Sequence, residues 1–184
     1  LKLCNDIDRN LFGDDVKPMK VCSTNREVDA INQKELNKIE GDIKVYPIIP
    51  ISLDEKKVEL SAKAESIPSE VVLKVGAQIV VTFNVSMNGK QSIANGSQGL
   101  VVAMNEKSID MMEVGSNKIV KVPYQKLIDP DCIDEDDNPE YVLEYLPVRL
   151  GWALTIHKCQ GMTTSIMEVD LSKVFADGQA YVAV

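Results

Sequence analysis

The sequence has a single histidine, His157, and four cysteines, Cys4, Cys22, Cys132 and Cys159, with no C-x-x-C pair among them. A structural zinc site takes four clustered donors at short spacing, so the chain cannot build one locally. One histidine also excludes His-cluster metal chemistry and any Ser-His-Asp triad not centred on His157. Scattered thiols without a leader segment fit a reducing compartment. Long apolar runs are missing as well. The longest are a few residues, such as Ile79–Val81 with Phe83 just beyond, against about 20 for a membrane-spanning helix. No charged segment followed by an apolar one opens the chain, so neither a secretory leader nor a membrane partner is expected. The first residue is Leu1 rather than methionine, which points to a fragment or a processed product.

What is present is ordinary for a folded domain. The chain has 184 residues, 45% hydrophobic and 26% charged, enough to bury roughly two-thirds of its unfolded surface. Its net charge of −8 argues against wholesale coating of nucleic acid, since phosphate contacts want Lys and Arg. The charge is unevenly spread, however. Asp129, Asp131, Asp134, Glu135, Asp136, Asp137 and Glu140 fall in one run without a basic residue. That run, which also holds Pro130 and Pro139, reads as a solvated surface loop. The rest of the chain is nearly balanced.

Residues 18–22 (PMKVC) read as a short strand leading into a helix. Thr24 followed three residues later by Glu27 is a capping box, and Val28, Ile31, Leu36 and Ile39 share one helical face. Gly41 then supplies a stop. Strand, turn and helix in that order belong to an α/β layer. Residues 44–49 are strand-like, and residues 52–70 are a polar, charged loop with room for a short helix. From 74 to 124 the pattern turns to β: 78–83, 99–104, 109–114 and 118–122, separated by Asn88-Gly89, Asn95-Gly96 and Gly115-Ser116-Asn117. Short strands joined by tight turns suggest a small barrel or meander inserted into the α/β framework. Asn95, Gly96 and Gly99 are read as turn residues needing positive φ. Residues 141–150 return to a strand, 151–155 read as a short helix or turn exposing Thr155, His157 and Lys158, and 166–171 form a second buried strand.

Chemistry concentrates in Leu150-Gly-Trp-Ala-Leu-Thr-Ile-His-Lys-Cys-Gln-Gly-Met-Thr163. Hydroxyl, imidazole, ammonium and amide groups at Thr155, His157, Lys158 and Gln160 suit a phosphodiester backbone. Gly161 lets main chain come close to a phosphate. By spacing alone, a satisfied core histidine at His157 beside a surface charge at Lys158 is the favoured reading.

This block resembles motif V of superfamily 1B DNA helicases of the Pif and RecD branch. Residues 22–32 (CSTNREVDAIN) resemble the family's motif IV segment. Residues 73–79 (LKVGAQI) and 93–99 (IANGSQG) are similar to the paired segments around its small β-barrel, and residues 169–183 to the run into motif VI. The four blocks stand in the family's order.

The resemblance implies a RecA-like parallel-sheet domain with an inserted small β-barrel, part of a two-motor-domain helicase. Residues 1–84 and 147–184 would form the discontinuous, C-terminally truncated second RecA-like domain, and 85–146 the inserted barrel. The implied activity is ATP-dependent 5′-to-3′ DNA unwinding, of the kind used in DNA repair, recombination and telomere or genome maintenance. The implied single-stranded DNA contacts are Thr155, His157 and Lys158, with Thr24 and Asn25 near the strand path; Thr24 also has the N-cap role above. Gln160 and Gly161 would face the nucleotide phosphates. Trp152 is a candidate for stacking on a base or for burial beside the sheet. ATP and Mg2+ belong to the complete enzyme, completed by an N-terminal RecA-like domain. The chain has no G-x-x-x-x-G-K-[ST] loop to cradle phosphates. It ends at Tyr181-Val-Ala-Val184, where the family continues Leu-Ser-Arg, so no catalytic residue is expected in it. The alternative is a non-catalytic nucleic-acid-binding module of the same descent. Either would be intracellular: nuclear or mitochondrial in a eukaryote, cytoplasmic in a bacterium.

Overall fold

The computed structural model describes residues 16–87, 90–116, 118–133, 139–159 and 167–169. In chain order the elements are β1 (Met19–Cys22), α1 (Asn25–Lys38), β2 (Lys44–Pro47), β3 (Ile49–Pro50), α2 (Glu55–Ala64), β4 (Glu70–Leu73) and β5 (Gln78–Val81). Then come β6 (Val85–Met87), β7 (Lys90–Ile93), β8 (Gln98–Met104), β9 (Ser108–Glu113) and β10 (Ile119–Pro123). The last are β11 (Gln125–Ile133), β12 (Pro139–Tyr145), β13 (Val148–Leu150), β14 (Ala153–Thr155), α3 (Ile156–Cys159) and β15 (Met167–Val169).

α1 starts where the capping box places it. The Thr24 hydroxyl accepts from the Glu27 backbone N–H at 3.3 Å, and Lys38 sits in the last turn, where a cation meets the helix dipole. Its buried face is Val28, Asn32 and Leu36, an i, i+4, i+8 stripe with an amide in the middle. The segment 52–70 holds more helix than its polarity suggested: α2 runs ten residues, capped by Asp54, which accepts from the Lys57 N–H at 3.1 Å.

The fold is α/β. Strands β14, β1 and β15 form a parallel sheet in that order. A five-stranded antiparallel sheet, order β10-β9-β8-β5-β13, occupies the region expected to hold a barrel. It draws β5 and β13 from either side of residues 85–146. Strands β11, β12 and β3 make a third sheet, β2 pairs with β4, and β6 with β7. The stretch read as one strand over 141–150 is therefore two, β12 and β13, which serve different sheets.

The acidic run is also not a plain loop. β11 continues to Ile133 and β12 begins at Pro139, with Ile133 opposite Pro139, so both ends of the run are strand; residues 134–138 lie outside the described residues. Lys57 of α2 reaches it, 2.7 Å from the Asp129 carboxylate and 3.0 Å from Glu140.

Two glycines are fixed by close approach rather than by φ. A Cβ on Gly99 would lie 2.5 Å from the Met112 carbonyl oxygen, and one on Gly151 would lie 2.8 Å from the Ile79 carbonyl carbon. Gly99 is thus a strand residue within β8 and not the positive-φ turn residue expected; of that trio only Gly96 has positive φ, at 90°. Gly151 lets the chain turn off β13 and cross to β14, which joins the antiparallel sheet to the parallel one.

Candidate nucleic-acid interface

Both β1 and β14 run parallel, with Cys22 paired to Thr155 at their carboxyl ends. The chain leaves β1 into α1 and leaves β14 into α3. In α/β sheets the crevice at the carboxyl ends of the strands is where ligands sit. Here it gathers residues distant in sequence. The Lys158 ammonium donates to the Asn25 side-chain carbonyl at 3.4 Å, across 133 positions. His157 is exposed beside them, as are Thr24 and Asn25.

Thr155 does not share that exposure. The segment expected as a helix or turn is β14, and Thr155, its last residue, is buried because both faces of this parallel strand are covered. Trp152 is buried in the main core against Ile79 and Val148, away from any base. Gln160 and Gly161 lie outside the described residues.

The site contains a residue that sequence reasoning missed. Arg149 lies on β13 directly opposite Val80 of β5. Val80 packs with Met19, Val21 and Leu154 of the parallel sheet, so Arg149 stands at the seam between the two sheets. Its guanidinium donates to the Ser66 carbonyl, and Ser66 has a φ of 54°. Burial pulls the Arg149 guanidinium below its ordinary range, and the Asp29 carboxylate acts against that. Lys158 is pulled down by burial first and by the neighbouring Arg149 second, again opposed by Asp29. Three clefts of about 150, 290 and 650 Å3 adjoin here, and each is lined by Pro68, Arg149 and Lys158. A lone arginine in the apolar run Pro147-Val-Arg-Leu-Gly-Trp152 was the available signal, because a charge between core residues needs a reason to be there.

Buried amides hold the frame. The Asn32 side chain donates to the Ala153 carbonyl at 3.0 Å and accepts from the Ala153 N–H at 2.9 Å. It thereby fastens α1 to β14. Gln78 donates to the Lys17 and Gly151 carbonyls at 2.8 and 3.0 Å and accepts from the Lys17 N–H at 3.0 Å. Among the described residues no group of three or more His, Cys, Asp or Glu side chains could hold a metal ion. No helix there is long and apolar enough to cross a membrane.

In sequence and in fold the chain is similar to part of known DNA helicases. The resemblance is to a portion of the Pif1 helicases. The chain is 28% identical over 175 residues to the ATP-dependent DNA helicase PIF1 of Danio rerio, covering 92% of this chain and 26% of that protein. It is 29% identical over 182 residues to Pif1 of Campylobacter jejuni, covering 89% and 38%. Among solved structures, Pif1 from Candida albicans superposes with a TM-score of 0.70 at 28% identity, over 92% of this chain and 43% of that one. Bacteroides Pif1 bound to single-stranded DNA does so with a TM-score of 0.63 at 26% identity, over 94% and 39%. The chain thus spans between about a fifth and two-fifths of the curated relatives' length. No family model matches it.

Proposed function

We propose that the chain is the second motor-domain portion of an ATP-dependent DNA helicase that moves 5′ to 3′. In this reading it grips single-stranded DNA through Asn25, His157 and Lys158, with Thr155 beneath them, and gives one wall of the ATP cleft through Gln160 and Gly161. The observation that carries the reading is the meeting of Asn25 and Lys158 at the carboxyl edge of the parallel sheet. An exposed imidazole, an ammonium and an amide are groups that hold a phosphodiester backbone in place without reading its bases. ATP with Mg2+ would serve the complete enzyme, where an N-terminal RecA-like domain supplies the phosphate-cradling loop; closure of the cleft between the two domains would move the two grips relative to one another. No step of nucleotide chemistry is assigned to the described residues.

The test is fluorescence anisotropy with labelled oligo(dT) and mixed-sequence strands. His157→Ala and Lys158→Ala should weaken binding equally on both, and Lys158→Ala should reduce the salt slope by about 0.7 for one lost contact on a single strand. Full affinity in both variants would remove the grip from this edge. The chain alone should show no ATPase activity, because charge stabilisation is needed from both sides of the nucleotide. Turnover that survives removal of contaminating ATPases would place the chemistry in this chain instead. Polarity is read in the complete protein from duplexes with a 5′ or a 3′ single-stranded tail; unwinding only of the 3′-tailed substrate would overturn it.

A further inference from the structure

We infer that Arg149 and Phe83 complete a one-nucleotide subsite with Lys158, the two cations holding a phosphodiester and the Phe83 ring stacking on its base. The inference rests on the strand-grip reading above and extends it to two residues outside the blocks that suggested it.

The charge count at the seam comes first. Arg149 lies close enough to disfavour the charge on Lys158, and Asp29 acts on both. Neither cation lies within 4.0 Å of a carboxylate among the described residues. The guanidinium donates to a neutral carbonyl, Ser66, and the ammonium makes a long bond to a neutral amide, Asn25. A guanidinium has five N–H donors, so most of its capacity points elsewhere. Two partly desolvated like charges are costly where the acids nearby, Asp29 and the cleft-lining Glu65, are both exposed and pair with neither of them. An anion placed between them removes that cost, and a phosphate takes the planar guanidinium in a bidentate grip.

The shape of the neighbouring cleft then selects the anion. The cleft of about 150 Å3 is lined by Arg149 and Lys158 on one side and by Thr82 and Phe83 on another. Phe83 is 53% exposed. It follows directly on β5, and the Thr82 N–H is fastened to the Pro147 carbonyl at 2.9 Å, two residues before Arg149. Phe83 and Arg149 therefore leave from the same antiparallel strand pair, β5 with β13. A cationic track with an aromatic face beside it is the arrangement that binds single strands without base preference. Inorganic phosphate would use the cations alone, whereas a nucleotide unit uses the ring as well.

The experiment titrates the complete protein, carrying the wild-type or variant chain, with labelled oligo(dT), with an abasic oligomer of equal length, and with inorganic phosphate as competitor. Arg149→Gln keeps an amide donor for Ser66 and removes the charge; circular dichroism confirms that it folds. It should weaken oligo(dT) and abasic binding alike, by about tenfold, and lower the salt slope by about 0.7. Phe83→Ala should weaken oligo(dT) by at least fivefold and leave the abasic strand unchanged, and Phe83→Trp should restore it. If Lys158→Ala weakens binding while Arg149→Gln and Phe83→Ala do not, the grip stands and the subsite is refuted. If phosphate competes equally with wild type and Phe83→Ala but Phe83→Ala binds oligo(dT) normally, the site is an anion site and the stacking half is refuted. If the complete protein with the wild-type chain binds neither oligomer, the grip reading itself fails.

Discussion

The parallel and antiparallel sheets are built on different amounts of burial. The antiparallel region and its neighbours share a core of 16 buried residues, from Leu36 and Tyr46 through Ile109 and Met111 to Trp152. Among the described residues the parallel sheet has a separate core of six: Met19, Val21, Val80, Leu154, Ile156 and Cys159. One of those six, Val80, belongs to the antiparallel sheet. Of the groups proposed to meet DNA, Asn25, His157 and Lys158 stand past the carboxyl ends of the parallel strands, whereas Arg149 on β13 and Phe83 just past β5 stand on the antiparallel sheet. Elements with few buried contacts open most readily, and through Val80 the described part of the parallel sheet leans on the antiparallel one.

That asymmetry can be broken most directly at Leu154, which is fully enclosed in the small core. Leu154→Ala should cost about 3 kcal/mol in chemical denaturation. Hydrogen exchange should show β1 and β14 losing protection while β8 and β9 keep theirs. Uniform loss across both sheets would mean that the two cores are one cooperative unit. Asn32→Leu comes next. It strands the N–H and the carbonyl of Ala153, and unsatisfied buried groups of this kind cost about 2 kcal/mol together. A neutral outcome would show that α1 is held by Val28 and Leu36 alone. Lys57→Ala should cost about 0.5 kcal/mol, because it touches only the α2–hairpin contact, and should leave exchange in both sheets unaltered. The smallest effect concerns pH. The Glu35 carboxyl sits below its ordinary value because Lys17 and then Lys38 donate to it at 2.5 and 2.6 Å. Its contribution is present above the unfolded value near 4.5 and is lost as pH falls through the lower folded value. The stability gap between wild type and Glu35→Gln should therefore close below pH 4.5, and a gap that persists at low pH would assign the effect to packing.

The local signals were legible where one stretch of chain decides its own conformation. The capping box at Thr24 fixed the start of α1, and glycine-bearing turns separated β7 from β8 and β9 from β10 as their spacing predicts. What escaped was decided by distant partners. Thr155 looked exposed because a three-residue strand has too little length to show alternation, and only its pairing with Cys22 buries it. The acidic run read as a loop because nothing local announces that Ile133 lies opposite Pro139 or that Lys57 neutralises Asp129. Asn32 sat unnoticed on the apolar face of α1, since its reason for being there is 121 residues away. Arg149 fell one residue outside the recognisable block, and only the pairing of β13 with β5 places it next to Lys158.

The double bond from Asn32 to Ala153 has a mechanical side. A strand of DNA under tension at Lys158 would pull on α3 and so on β14, which is only three residues long. Such a short strand would slip if its neighbour β1 alone opposed the load. The amide pair sets a second anchor on its other edge and passes the load into a 14-residue helix. That helix carries Asn25 at its near end, so the two contacts on the DNA would advance together as one pawl and keep their spacing through the stroke.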